Sequence, residues 1–145
     1  MDIKSGHCLC GAVKFTVKIN KHPDGVHVDA CHCSMCRRQI GGPLMGISLA
    51  SAPEIEDESA LATYQSSEWA ERSFCKNCGS NLFYHLKSNQ FHTVHAGALD
   101  DISDAKLALE IFIDDKPSYY HFTQDTQKMT GEQVMAVFAS GESAY

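Results

Sequence analysis

The sequence predicts a mostly β domain spanning residues 1–145, in which metal joins segments far apart along the chain. Three observations predict it. Short apolar runs alternate with polar residues, turn chemistry separates those runs, and seven cysteines stand in close clusters. At 145 residues the chain is long enough for one core and too short for two.

The elements follow in order. Val13, Phe15, Val17 and Ile19 alternate with Lys14, Thr16 and Lys18, the period of a strand with one buried face. "NKHPDG" at 20–25 reads as a turn, with Asp24-Gly25 suited to positive φ. Val26, Val28 and Ala30 then alternate into the first cysteine triplet. Further short strands are expected at 43–50 and 62–66, and in "NLFYHL", "FHTVHAGAL", "LALEIFI" and "SYYHF". Helix signals are few. Thr130 followed by Gln133 has the pattern of a capping box, which opens a helix through Phe138.

Composition excludes several classes. A hydrophobic share of 43% with 21% charged residues suits a chain with a core and is too apolar for disorder. The net charge of −6 argues against nucleic acid held through phosphate contacts. No run approaches the roughly 18 apolar residues of a membrane span. "MDIKSGHC" lacks the basic and apolar regions of a signal peptide, so the expected location is cytoplasmic. In that compartment C-x-C and C-x-x-C spacings suit a shared metal better than disulfides.

The clusters differ in what their spacing allows. "FCKNCGSNLFY" at 74–84 contains a C-x-x-C-G turn, in which Cys75 and Cys78 face one ion and Gly79 takes the positive φ beyond it. In "HCLCG", Cys8 and Cys10 fall on one face of an extended segment. "DACHCSMCRRQIGG" at 29–42 holds three cysteines followed by two arginines. Two partitions remain open. Either Cys33 and Cys36 join Cys75 and Cys78, or Cys8, Cys10, Cys75 and Cys78 close one site and leave Cys31, Cys33 and Cys36 as a three-ligand site. A three-thiolate zinc keeps an open position, the mark of a catalytic site. With a net charge of about −1 it is a weak Lewis acid and prefers a soft fourth ligand such as a thiol. Arg37 and Arg38 then stand close enough in sequence to offset the added charge. The competing closure is a histidine from His27, His85, His92 or His95; His32 would face away from Cys31 and Cys33 on an extended segment.

"CLCGAVKF", "CHCSMCRRQIGG", "YQSSEWAERSFCKNCGSNL", "HAGALDD" and "EIFIDDKPSYY" together resemble the glutathione-dependent formaldehyde-activating (GFA) family, which also contains centromere protein V. The resemblance implies small antiparallel sheets in a zinc-binding β-tent arrangement. It implies two zinc ions per chain, a structural one on Cys8, Cys10, Cys75 and Cys78 and a catalytic one on Cys31, Cys33 and Cys36. The implied activity is that of a carbon–sulfur lyase, S-(hydroxymethyl)glutathione synthase-like, acting on a glutathione or other small-thiol adduct of formaldehyde or a related aldehyde. The alternative is a non-catalytic, zinc-stabilised glutathione carrier or interaction module. Arg37, Arg38, Arg72 and Lys76 are the candidate contacts to glutathione carboxylates. Tyr119 and Tyr120 stand where the family often carries tryptophan, a departure from its pattern that bears on the acceptor if they shape the pocket.

Overall fold

The computed structural model describes residues 2–140. Its strands are β1 (Asp2–His7), β2 (Lys14–Ile19), β3 (Val26–Cys31), β4 (Leu44–Leu49), β5 (Glu54–Ile55), β6 (Leu61–Gln65), β7 (Ala70–Cys75), β8 (Asn81–Leu86), β9 (Phe91–His95), β10 (Ala105–Ile111) and β11 (Gln127–Met129). Two α-helices, α1 (Ser34–Ile40) and α2 (Gly131–Ser140), and four single 3₁₀ turns complete the elements among the described residues.

The mainly β class stands. The strands form one open hydrogen-bonded network in the order β11-β10-β3-β4-β9-β8-β7-β6, from which β2 branches with β1 and β5 at its sides. Most pairings are antiparallel, but β10 runs parallel to both β3 and β11. On β2 the alternation is realised as read, with Phe15, Val17 and Ile19 inward and Lys14 and Lys18 outward. The inward residues of β2, β3, β4 and β9 build the main core, with Phe15 edge-on to Phe83 at 4.9 Å. A second, smaller cluster surrounds Cys31, Cys36 and Leu44, and a third joins Leu109, Met129 and Val134 beneath α2.

Several elements depart from their sequence pattern for identifiable reasons. β7 was not expected because its inward positions are Ala70 and a buried Arg72, which interrupt the apolar alternation. β1 is an edge strand whose Ile3 points to solvent. α1 is capped by a sulfur, Cys33 Sγ accepting from the Cys36 amide at 3.4 Å, in place of the usual hydroxyl or carboxylate. The available signal for it was Gly41 past its end with Arg37 and Arg38 in its last turn. The expected strand at "SYYHF" is irregular. Lys116 Nζ donates to the carbonyls of Pro117 and Tyr120, and the Tyr120 hydroxyl is drawn to His32. The Thr130 capping box is present in both directions: the Gln133 amide donates to Thr130 Oγ1 and the Thr130 amide to Gln133 Oε1.

Candidate functional site

The seven cysteines sort into two groups, Cys8, Cys10, Cys75 and Cys78 in one and Cys31, Cys33 and Cys36 in the other, with the sulfurs of each within 4.8 Å of one another. Of the two partitions that spacing allowed, this is the one the fold adopts.

The first group joins two tight turns. Cys8 and Cys10 follow β1, while Cys75 ends β7 and Cys78 lies in the turn to β8. Gly11 and Gly79 close those turns at φ of 82° and 77°, a region any side chain would strain. Sγ–Sγ separations are 3.6 Å for Cys8–Cys10 and 3.8 Å for Cys10–Cys75. Four thiolates ~2.3 Å from a zinc ion stand about 3.8 Å apart in a tetrahedron, so this set fits such a centre. The sulfurs accept from neutral donors: Cys8 from the Val13 amide and Cys10 from Asn77 Nδ2, each at 3.2 Å. The Ser80 hydroxyl, then the Ser80 and Cys10 amides, hold the Cys78 thiol down to about 5.

The second group comes from the end of β3 and the first turn of α1. β3 is flanked by β4 and β10, with Cys31 opposite Leu44 on one side and Ile111 on the other. Cys31 and Cys36 are buried and Cys33 is half-buried. Bonds from Cys31 and Cys36 hold the Cys33 thiol well below its ordinary value, and the same contact pushes Cys31 up. The trio therefore settles one negative charge readily and further charges only with a cation present. That cation is Arg72, 4% exposed, whose Nη1 donates to Cys36 Sγ at 3.4 Å and to Gln39 Oε1 at 3.2 Å. Its Nε donates to Ser66 Oγ, and its guanidinium lies 5.0 Å from the centre of the Tyr84 ring. Burial disfavours its charge, but the Cys36 sulfur outweighs that and raises it.

The charge compensation assigned to Arg37 and Arg38 therefore falls to Arg72 from another strand. Arg37 Nε donates to the His32 carbonyl at 2.9 Å, and Arg38 is exposed. Lys76 is exposed on the turn of the four-cysteine group. Among the described residues no histidine joins either group. His32 points the other way, fully buried: Nε2 donates to Glu110 Oε1 at 2.9 Å and Nδ1 accepts from the Tyr120 hydroxyl at 2.7 Å. Burial favours the neutral acid at Glu110, but bonds from Thr126 and His32 outweigh it and hold the carboxyl below its ordinary value. Tyr120 thus braces the cysteine loop from behind, and Tyr119 is exposed; neither lines the cavity.

A cavity of about 300 Å³ opens over Cys31, Cys33 and Cys36. Its polar groups include Arg72, Tyr84, Asp29 and Asp115. Burial pushes the Tyr84 hydroxyl up to about 12 and the Asp29 carboxyl up to about 7. The remaining wall is mainly apolar, and sequence reading missed it because Trp69, Phe91, Phe112 and Phe138 are scattered along the chain.

Residues 3–115 match the family described as glutathione-dependent formaldehyde-activating enzyme. A Schizosaccharomyces pombe protein named as an uncharacterized lyase is 31% identical over 131 residues, 90% of this chain and 93% of that one. A Halomonas elongata protein, provisionally named a glutathione-dependent formaldehyde-activating enzyme, is 27% identical over 79% of this chain and 77% of its own. A Rhodobacter sphaeroides protein of known crystal structure superposes with a TM-score of 0.56 at 28% identity, covering 68% of this chain and 90% of that one.

Proposed function

Because this chain belongs to the glutathione-dependent formaldehyde-activating family, we propose that it makes and breaks the carbon–sulfur bond between a small thiol and an aldehyde, with zinc at both cysteine groups. The observation that carries this reading is the convergence of Cys31, Cys33 and Cys36 on one cavity, with Arg72 donating to Cys36 from within the fold. The four-cysteine group has all the ligands a structural zinc needs; the three-cysteine group has one fewer and opens on space.

In the forward direction the thiol gives up its proton, sulfur attacks the carbonyl carbon, and the carbonyl oxygen takes a proton. The product is an S-(hydroxyalkyl) thiol, and the reverse is the lyase reaction. A zinc ion on the three thiolates supplies a coordination position that suits sulfur and a Lewis acid for oxygen. The chain's own part is orientation and charge: Cys31, Cys33 and Cys36 hold the site, Arg72 offsets their negative charge, and the cavity brings the reactants together. Glutathione with formaldehyde is the pair named by the family, and S-(hydroxymethyl)glutathione synthase-like chemistry is the finest form of this reading.

Two measurements test it. Metal analysis should give about two zinc ions per chain, one lost to a chelator far sooner than the other. At the equilibrium of formaldehyde with glutathione, exchange should run faster with the wild type than with Cys33→Ser. Thiol binding with no acceleration would reassign the chain as a carrier.

A further inference from the structure

The cavity offers one guanidinium and an extensive apolar wall. Its volume of about 300 Å³ is about twice the ~150 Å³ apolar cavity that holds a benzene ring in an engineered protein. Arg72 is the cation that lines it, with its Nε held by Ser66 and its Nη1 by Cys36 and Gln39. The other charged residues on the lining are the acids Asp29 and Asp115. A ligand with two carboxylates entering here would meet a single guanidinium, already committed in part to the chain's own acceptors, and would lose hydration that the apolar wall does not replace. Arg37, Arg38 and Lys76 do not reach the lining.

The wall is instead built for apolar contact. Trp69, Phe91, Phe112, Val134, Met135 and Phe138 form it, and Phe91 meets Phe138 edge-on at 5.6 Å. Phe112 holds its place with φ of +54°, a conformation that disfavours every residue with a Cβ. Gly131 makes room for that ring, since a Cβ there would meet two Phe112 ring atoms at 2.8 and 2.9 Å. At the mouth, Met35, Trp69 and Met135 are 39%, 54% and 57% exposed, an apolar rim with solvent access. Val134, Met135 and Phe138 belong to α2, beyond the residues 3–115 matched to the family.

We propose that the aldehyde taken by this site carries an uncharged apolar body, an aromatic ring or branched alkyl chain, which the wall between Trp69 and α2 receives. The chemistry rests on the carbon–sulfur reading above; the substrate class rests on the cavity. Of the two reactants the thiol must present an anionic sulfur, whereas an aldehyde is neutral throughout and suits the apolar wall. The bond formed is that between thiol sulfur and carbonyl carbon, and the thiol proton ends on the oxygen.

Trp69 is the single tryptophan of the chain, so its fluorescence reports occupancy of the cavity. The zinc-loaded full-length protein is titrated with 2-phenylethanol, an unreactive mimic. Exchange with glutathione is then followed for formaldehyde, 3-methylbutanal and phenylacetaldehyde. Expected are a saturable blue shift with 2-phenylethanol and a rise in kcat/KM of about tenfold to a hundredfold from formaldehyde to phenylacetaldehyde, the size set by burying a ring. Met135→Asp places a charge on the rim at an exposed position and should weaken the mimic's binding about tenfold or more; Phe138→Ala should lower the preference for phenylacetaldehyde. A flat series, or one led by formaldehyde, with no response of Trp69 overturns the proposal even where formaldehyde exchange is accelerated. Conversely, binding of 2-phenylethanol that Met135→Asp weakens, with no aldehyde accelerated, refutes the carbon–sulfur reading and upholds the apolar ligand class.

Discussion

The two cysteine groups solve one problem, holding several sulfurs together, by opposite means. The four-cysteine group draws on turns whose cysteines are 65 residues apart and surrounds its sulfurs with neutral donors from Val13, Asn77 and Cys78. With a metal bound it would act as a cross-link, and closing that long loop would be its contribution to folding. The three-cysteine group lies within six residues and cross-links nothing. Beside the one amide that caps α1 through Cys33 it has a guanidinium on Cys36, and a cavity in place of a fourth sulfur. Four sulfurs with neutral donors have the ligand set of a closed metal joint; three sulfurs beside a buried cation leave room for a further ligand.

The largest expected effect falls on the first group. Cys75→Ser should lower stability by several kcal/mol in chemical denaturation, as loss of a structural metal does, while Cys33→Ser should leave the melting temperature nearly unchanged. Equal losses for the two would abolish the distinction. Next, Arg72→Gln should weaken metal retention at the three-cysteine group by about 10–100-fold, read from competition with a chelator, and leave the four-cysteine group untouched. Acid sharpens the contrast further. Burial and the charge of Arg72 push the His95 imidazole down to about 4. Between pH ~6.5 and 4 the unfolded chain therefore binds a proton that the folded chain refuses, and stability rises with pH by up to about 1.4 kcal/mol per unit. His95→Gln should flatten that part of the stability–pH curve; an unchanged slope would remove His95 as its source. The smallest effect is that of Tyr120→Phe, which takes the hydroxyl from His32 Nδ1 and should cost about 1 kcal/mol in urea unfolding.

What could be read from the sequence was what local spacing encodes. The alternation of Val13 to Ile19, the C-x-x-C-G turn and the Thr130 capping box each involve residues a few positions apart, and each is present in the fold. The grouping of cysteines was narrowed to two arrangements and then resolved by resemblance. What was not legible depends on distant pairings. Nothing near Arg72 in the chain announces Cys36, and its burial hid β7 by breaking the apolar period. Nothing beside Tyr120 in the chain announces its partner, a histidine 88 positions away. The aromatic wall is scattered for the same reason, since Phe91 and Phe138 meet through the packing of α2.

The parallel pairing of β3 with β10 sets an order in time. All four sulfurs of the first group lie at or before residue 78, so a chain synthesised that far already holds a complete set. The loop of Cys31 and Cys33 is different: the His32 amide donates to the Ile111 carbonyl and its ring to Glu110, in a strand not yet made. The three-cysteine loop is thus translated early and braced late, once the strand that supports it has been added.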